Sequence, residues 1–226
     1  MLLNPDKPFS VFSNKGKLSQ CDNALTAALN ASLSVGMSSK EGTVLMSHKK
    51  LPALAVKHEY NKVFSVCESI GMTYSGLQPD FRKQLAMAQL ICQEYFDVYN
   101  KYPSLDVFVE EFSLTLQENS QKGGKRPYGT FLLVCGAIRN ISSLYQVDPS
   151  GSFKKVQSVS AGAEYEAARS FLSKRMGVLD DNITTCYNCI KEHSGMEIKG
   201  EDISVGVFKE GKFKVYSLSE INEIIE

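Results

Sequence analysis

The chain is predicted to be an α+β protein, a four-layer αββα sandwich of two antiparallel sheets with helix pairs on the outside. Three observations predict it. Strand-like and helix-like stretches come in blocks: strands, two helices, strands, two helices, strands. A parallel α/β fold would alternate them instead. Tight-turn residues join neighbouring strand-like stretches at Lys40-Glu41-Gly42, Asp148-Pro149-Ser150-Gly151 and Glu210-Gly211. The run from Tyr128 to Ile138 is almost continuously apolar, as expected of a strand covered on both faces.

The elements follow in order. Leu18, Cys21, Leu25, Ala28 and Leu29 put one apolar stripe on a short helix, which must lie on something. Between Ser32 and Lys50, Val35 and Met37 and then Val44 and Met46 mark the two arms of a hairpin. Strands are expected near Lys62 to Cys67 and Gly71 to Ser75. The period then changes to that of a helix carrying Leu77, Phe81, Leu85, Ala88, Cys92, Tyr95 and Tyr99, with Pro79 in its first turn. Lys101-Tyr102-Pro103 breaks it. Ser104 is placed to N-cap a second helix through Leu105, Phe108, Val109, Phe112 and Leu116. After the apolar strand, Asp148-Pro149-Ser150-Gly151 suits a type I turn between antiparallel strands. Two helices follow, one with Tyr165, Ala168, Phe171 and Leu172, the other with Ile183, Tyr187 and Ile190. Val205 and Val207 mark a late strand and Lys212 to Tyr216 its partner. Ser217-x-x-Glu220 is a capping box opening a last helix through Ile221, Ile224 and Ile225.

Composition narrows the function classes. With 226 residues and 43% hydrophobic content the chain can fill a sizeable core, and one large domain is the simpler reading. Lys+Arg and Asp+Glu both total 25, so no net field draws it to nucleic acid or to an anionic membrane. No apolar run approaches the roughly 20 residues that span a bilayer. An intracellular setting is expected, with Cys21, Cys67, Cys92 and Cys135 as reduced, buried thiols. Cys186 and Cys189 form the one Cys-x-x-Cys, with His193 a turn further on. A zinc site needs a fourth ligand, and a redox site needs the motif at a helix start after a strand. Neither context is visible, so an ordinary helix face is expected, with no metal and no cofactor.

The most informative segment is Gln121-Lys122-Gly123-Gly124-Lys125-Arg126-Pro127-Tyr128-Gly129, running into Phe131 to Cys135. Gly123 is suited to the left-handed conformation that caps a helix. Pro127 cannot continue one, and Gly129 allows two backbones to approach. Taken whole, Gln-x-Gly-Gly-x-Arg-Pro-Tyr-Gly before an apolar strand resembles the signature of alpha-type subunits of the eukaryotic 20S proteasome core particle. Further matches are Phe12-Ser13-Asn14-Lys15-Gly16-Lys17-Leu18-Ser19-Gln20, Tyr74-Ser75-Gly76, Asp148-Pro149-Ser150-Gly151 and Phe171-Leu172-x-Lys174-Arg175. They spread over nearly the whole chain. Ser75-Gly76-Leu77-Gln78-Pro79-Asp80-Phe81-Arg82 and Glu201-Asp202-Ile203-Ser204-Val205-Gly206 look most like the second of the seven alpha types.

The resemblance implies the N-terminal-nucleophile hydrolase fold without its chemistry. Residues 1–12 would be a gate tail and 13–226 a single alpha-type domain. Catalytic members of the fold use a threonine exposed at the N-terminus, whose own amine is the base. Here Gly42-Thr43 and Gly129-Thr130 carry the dipeptide, but cleavage at either would discard strands the fold needs. Both threonines are expected to be structural and no residue catalytic. No Gly-x-Ser-x-Gly elbow, His-Glu-x-x-His or phosphate-binding glycine loop is present.

Assembly, gating and docking are what the resemblance leaves. It implies neighbouring alpha subunits in a seven-membered ring, beta-ring subunits below, and a regulatory particle or other activator above. It also implies work in ubiquitin-dependent protein degradation in cytoplasm and nucleus. Lys62 corresponds to the family's lysine in a pocket between alpha subunits that receives an activator's C-terminal carboxylate. The gate positions depart from the pattern. The family commonly has Tyr-Asp in the tail, Pro in the following turn and Tyr on the first helix, where this chain has Pro5-Asp6, Asn14 and Asn23. Asn14 is expected to make its turn with its own side chain, while the missing rings remove packing that would pin Asp6. The expectation is a subunit that leaves the open gate to its neighbours or holds it loosely. The alternative reading is a self-contained N-terminal-nucleophile amidohydrolase of the same fold.

Overall fold

The structure is a computed structural model that describes residues 11–52, 54–122, 124–195 and 198–225. The first helix, α1 (Ser19–Leu29), leads to the hairpin β1 (Ser34–Ser38) and β2 (Gly42–His48). Then come β3 (Val63–Cys67), β4 (Ile70–Gly76), α2 (Gln78–Tyr99) and α3 (Leu105–Gln121). The second half runs β5 (Thr130–Ile138), β6 (Ile141–Val147), β7 (Phe153–Val156), β8 (Ser158–Ala161), α4 (Tyr165–Ser173), α5 (Leu179–Ser194), β9 (Ile203–Lys209), β10 (Lys212–Val215) and α6 (Leu218–Ile225).

Two five-stranded sheets form, in the orders β10-β9-β2-β1-β8 and β3-β4-β5-β6-β7, and every pairing is antiparallel. Three apolar clusters define the layers. One joins α4, α5 and α6 to the first sheet through Val35, Met46, Leu172, Cys186, Ile190, Val205 and Ile221. A second joins α2 and α3 to the second sheet through Met72, Tyr74, Phe81, Phe108, Phe112 and Leu132. The third lies between the sheets and holds Leu45, Val63, Leu133, Cys135, Leu144, Phe208 and Phe213, with Ala28 of α1 at its edge. That is the αββα order. The apolar run in β5 is explained by its place: its alternate residues serve the second and third clusters, so neither face can be polar.

Close packing between the sheets is enforced at one ring. A Cβ at Gly71 would sit 2.1 Å from the Phe213 ring, and one at Gly206 would sit 2.4 Å from it, so both strands leave out a side chain to admit it. The turn Asp148 to Gly151 closes as expected. Gly151 N–H donates to the Asp148 carbonyl at 3.0 Å, and Asp148 Oδ1 accepts from Ser150 N–H at 2.9 Å.

Several local expectations are corrected. Ser104 occupies the N-cap of α3 without a side-chain bond to the helix amides. The box at Ser217 is half made: Glu220 Oε2 accepts from both the Ser217 N–H and its hydroxyl, each at 2.9 Å, so that hydroxyl points to the carboxylate. The strand β8 escapes the sequence because Ser-Val-Ser-Ala has no signal beyond one valine, and its pairing with β1 makes it a strand. Among the described residues no helix is long and apolar enough to cross a membrane.

Candidate functional site

Pro79 in the first turn of α2 places Asp80 at a helix N-terminus, where a carboxylate is favoured. Opposite it, the segment after α3 brings in Arg126, whose Nη1 and Nη2 donate to Asp80 Oδ2 and Oδ1 at 2.6 and 2.8 Å. Asp80 Oδ2 also accepts from the Gly129 N–H at 2.9 Å. Burial alone would raise the Asp80 pKa, but the guanidinium and the Gly129 N–H together hold it below the ordinary value. Leu77 N–H donates to the Gly129 carbonyl at 2.9 Å, and Thr130 Oγ1 donates to Gln84 Oε1 at 2.6 Å. Gly76, at φ +127°, lies so near that a Cβ on it would come within 2.1 Å of the Gly129 oxygen.

The signature therefore ties the start of α2 to the start of β5. Pro127 is buried at the corner. The left-handed residue after α3 is Gly124, at φ +79°, while Gly123 lies outside the described residues. Asp80 and Gln84 are the partners that sequence reasoning missed. An acid one residue past a helix-starting proline was the available signal.

The second constellation surrounds Lys62, which is 3% exposed. Its Nζ donates to Ser32 Oγ at 2.7 Å, and at 3.4 Å to Ser34 Oγ and the carbonyls of Ser32 and His48. The Tyr74 ring centroid is 5.1 Å away. The amine is walled by hydroxyls: Ser47 Oγ donates to Ser34 Oγ at 2.8 Å and meets Thr73 Oγ1 at 2.6 Å. Thr73 Oγ1 in turn donates to the Lys62 carbonyl at 2.8 Å. No carboxylate balances the charge among the described residues, so burial alone pulls the Lys62 pKa down to about 7.

Other expected residues fall elsewhere. Asn14 and Asn23 are exposed. The turn at Asn14 is closed by Ser13, whose carbonyl accepts from Gly16 N–H at 2.8 Å and whose hydroxyl accepts from Lys17 N–H at 3.1 Å, in place of the Asn14 side chain. Pro5 and Asp6 lie outside the described residues. Thr43 is buried in β2, its Oγ1 donating to Ser38 Oγ at 2.8 Å and meeting Ser142 Oγ at 2.6 Å. Cys186 and Cys189 face the helix-side core with thiol pKa values raised by burial, and His193 Nδ1 bonds the Cys189 carbonyl at 2.8 Å. Among the described residues no cluster of metal-ligating side chains forms.

Residues 29–208 match the family model described as "Proteasome subunit". The chain belongs to the proteasome subunit family. As a proteasome subunit it is similar to proteins described as proteasome subunit alpha type-2. The rice protein (Oryza sativa subsp. indica) is 36% identical over 222 residues, covering 96% of this chain and 94% of the relative. The Trypanosoma brucei brucei protein is 33% identical over 221 residues, covering 96% of each. That of Dictyostelium discoideum is 33% identical over 230 residues, covering 99% of each. The likeness to the second alpha type implied by the motifs around Asp80 and Asp202 agrees with these relatives. In this proteasome subunit one constellation locks α2 to β5, and the other is buried where α1 hands over to β1.

Proposed function

We infer that this chain is a noncatalytic alpha-ring subunit of the 20S proteasome core, contributing to ring assembly, substrate-gate closure and activator docking in protein degradation. The observation that carries it is the end-to-end similarity to alpha type-2 subunits. The buried strand positions of Thr43 and Thr130 agree, since each hydroxyl is spent on a neighbouring side chain. In this reading the chain sits beside other alpha subunits in a seven-membered ring above the beta ring, in cytoplasm and nucleus.

Docking falls to Lys62. Its ammonium form is buried, directional and, among the described residues, without a counter-charge, so an activator's terminal carboxylate would supply that partner. Gating falls to the tail ahead of α1. The exposed Asn14 and Asn23 stand where the family has packing groups, which supports a subunit that holds the open gate loosely.

Native mass spectrometry of the tagged chain, purified from its own cells and assayed with a peptide substrate, tests the reading. The expected result is a large multi-subunit particle whose peptidase is lost to a threonine-directed inhibitor, with this chain unprocessed and unlabelled. A small active species in which this chain is itself cleaved or labelled would establish the amidohydrolase alternative. In an open-gate particle, ordered density for residues 5–10 packed on Asn23 would sink the loose-gate proposal.

A further inference from the structure

Cys67 ends β3 and Cys92 lies in the second half of α2, and both belong to the second apolar cluster. The two elements are packed on each other, with the Phe64 and Phe81 rings 5.4 Å apart. The end of β3 is fixed in place: Ser65 Oγ donates to the Cys67 carbonyl at 2.6 Å, and the Glu68 carbonyl accepts from the Phe213 N–H at 2.8 Å. There the Cys67 and Cys92 thiols meet in a hydrogen bond. Ser69 Oγ lies 3.5 Å from the Cys67 sulfur, which also accepts from the N–H groups of Ser69 and Ile70. Cys92 is 1% exposed, whereas Cys67 is 9% exposed and stands beside the exposed Glu68 of the turn. The pair therefore has an outer and an inner sulfur.

We propose that Cys67 and Cys92 are a modification site for hydrogen peroxide, an oxidisable dithiol that closes to a disulfide and staples the β3–β4 turn to α2. In the first step the Cys67 thiolate attacks one peroxide oxygen and the oxygen–oxygen bond breaks. The departing hydroxide takes up the proton that Cys67 has released and leaves as water. Cys67 is then a sulfenic acid, oxidised by two electrons. In the second step the Cys92 sulfur attacks the Cys67 sulfur, the sulfur–sulfur bond forms and the sulfur–oxygen bond breaks. The second hydroxide leaves as water with the Cys92 proton. One peroxide is reduced to two waters as two thiols become one disulfide. The step alters the chain and turns nothing over, as suits a noncatalytic subunit.

The donors around the outer sulfur decide which thiol reacts first. The Cys92 thiol above all, then Ser69 and the Ile70 N–H, hold the Cys67 thiol below its ordinary pKa against the effect of burial. The other five cysteines are held above theirs: Cys21, Cys135, Cys186 and Cys189 chiefly by burial, and Cys92 by its bond to Cys67 and by burial. The hold on Cys92 is released once Cys67 has become a neutral sulfenic acid, so the first step prepares the second. The closed disulfide encloses residues 67–92 and adds a covalent tie to a layer otherwise held by apolar packing. Nothing in the pair depends on ring membership, so it stands or falls apart from the assembly reading.

The test uses the full chain as purified from its own cells, exposed to dilute hydrogen peroxide, unfolded in N-ethylmaleimide and mapped without reduction. Trypsin cuts after Lys62, Arg82, Lys83 and Lys101, so the two cysteines fall on separate peptides, 63–82 and 84–101. The expected result is that these two are joined, that dithiothreitol parts them, and that Cys135, Cys186 and Cys189 stay reduced. In Cys92→Ala the link is lost and dimedone traps Cys67 as its sulfenic acid. In Cys67→Ser the loss of the Cys92 thiol slows by about a hundredfold. Mapping of the parent chain decides the matter even where a variant fails to fold. Cys67 and Cys92 both still reduced after the half-exposed Cys21 has been oxidised would overturn the proposal. So would Cys67 carried on to sulfinic acid in the parent chain while Cys92 is untouched.

Discussion

Arg126 grips Asp80 through both terminal nitrogens, joining the turn after α3 to the first turn of α2. Asp80 is nearly buried while Arg126 is mostly exposed. Asp80 also accepts from the Gly129 N–H, a bond that an asparagine oxygen could keep while the charge on Arg126 goes unanswered. Asp80→Asn is expected to cost about 2 kcal/mol in unfolding free energy by urea titration. The Asp80 pKa is lower in the folded chain than in the unfolded one. Its stabilisation is therefore present above the unfolded value near 4 and is lost as pH falls through the folded value. The variant should show a flatter acid limb.

Lys62 gives the opposite sign from a lysine held by an acid. Its folded pKa of about 7 lies below the ordinary lysine value of 10.5, so below pH 7 the fold carries the full cost of a buried ammonium. That cost fades as pH rises from about 7 towards 10.5. Melting temperature should climb through this window relative to Lys62→Met, which removes the titration. At pH 6 the methionine variant is expected to be at least as stable as the parent, because an apolar isostere avoids the desolvation cost. A parent and variant with parallel pH profiles would refute this.

Phe213 fills the space that Gly71 and Gly206 leave between the sheets. Gly71→Ala would push a methyl group into the ring, and the strand cannot retreat without breaking its pairing with β5. A loss of about 3 kcal/mol is expected. Phe213→Leu combined with Gly71→Ala should recover part of it, and a double-mutant cycle on unfolding measures the coupling.

Thr43 and Thr130 separate structure from chemistry. Thr43→Ala and Thr130→Ala each remove a buried hydroxyl and are expected to cost about 1 kcal/mol. Peptide turnover by the assembled particle should be unchanged within error. A loss of turnover with assembly intact would mean that one of them takes part in catalysis.

Much of this molecule is written along the chain because its determinants are local. The stripe from Leu77 to Tyr99, the proline in its first turn, the hairpin around Gly42 and the turn at Gly151 are set by periods and turn residues a few positions apart. The blocked order of strands and helices carried the αββα architecture, and the Gly-Gly-x-Arg-Pro segment carried the family. What the chain alone did not disclose depends on partners far apart in sequence. Arg126 meets Asp80 across 46 positions, and Lys62 meets Ser32 across 30. Nothing near Ser-Val-Ser-Ala marks it as a strand, and nothing around Lys62 shows that its amine lies buried among hydroxyls without a carboxylate. Local chemistry decides which way a segment turns and which face it hides. Burial and charge pairing, and with them pKa and reactivity, arise only when the packed layers bring distant groups together and exclude water from between them.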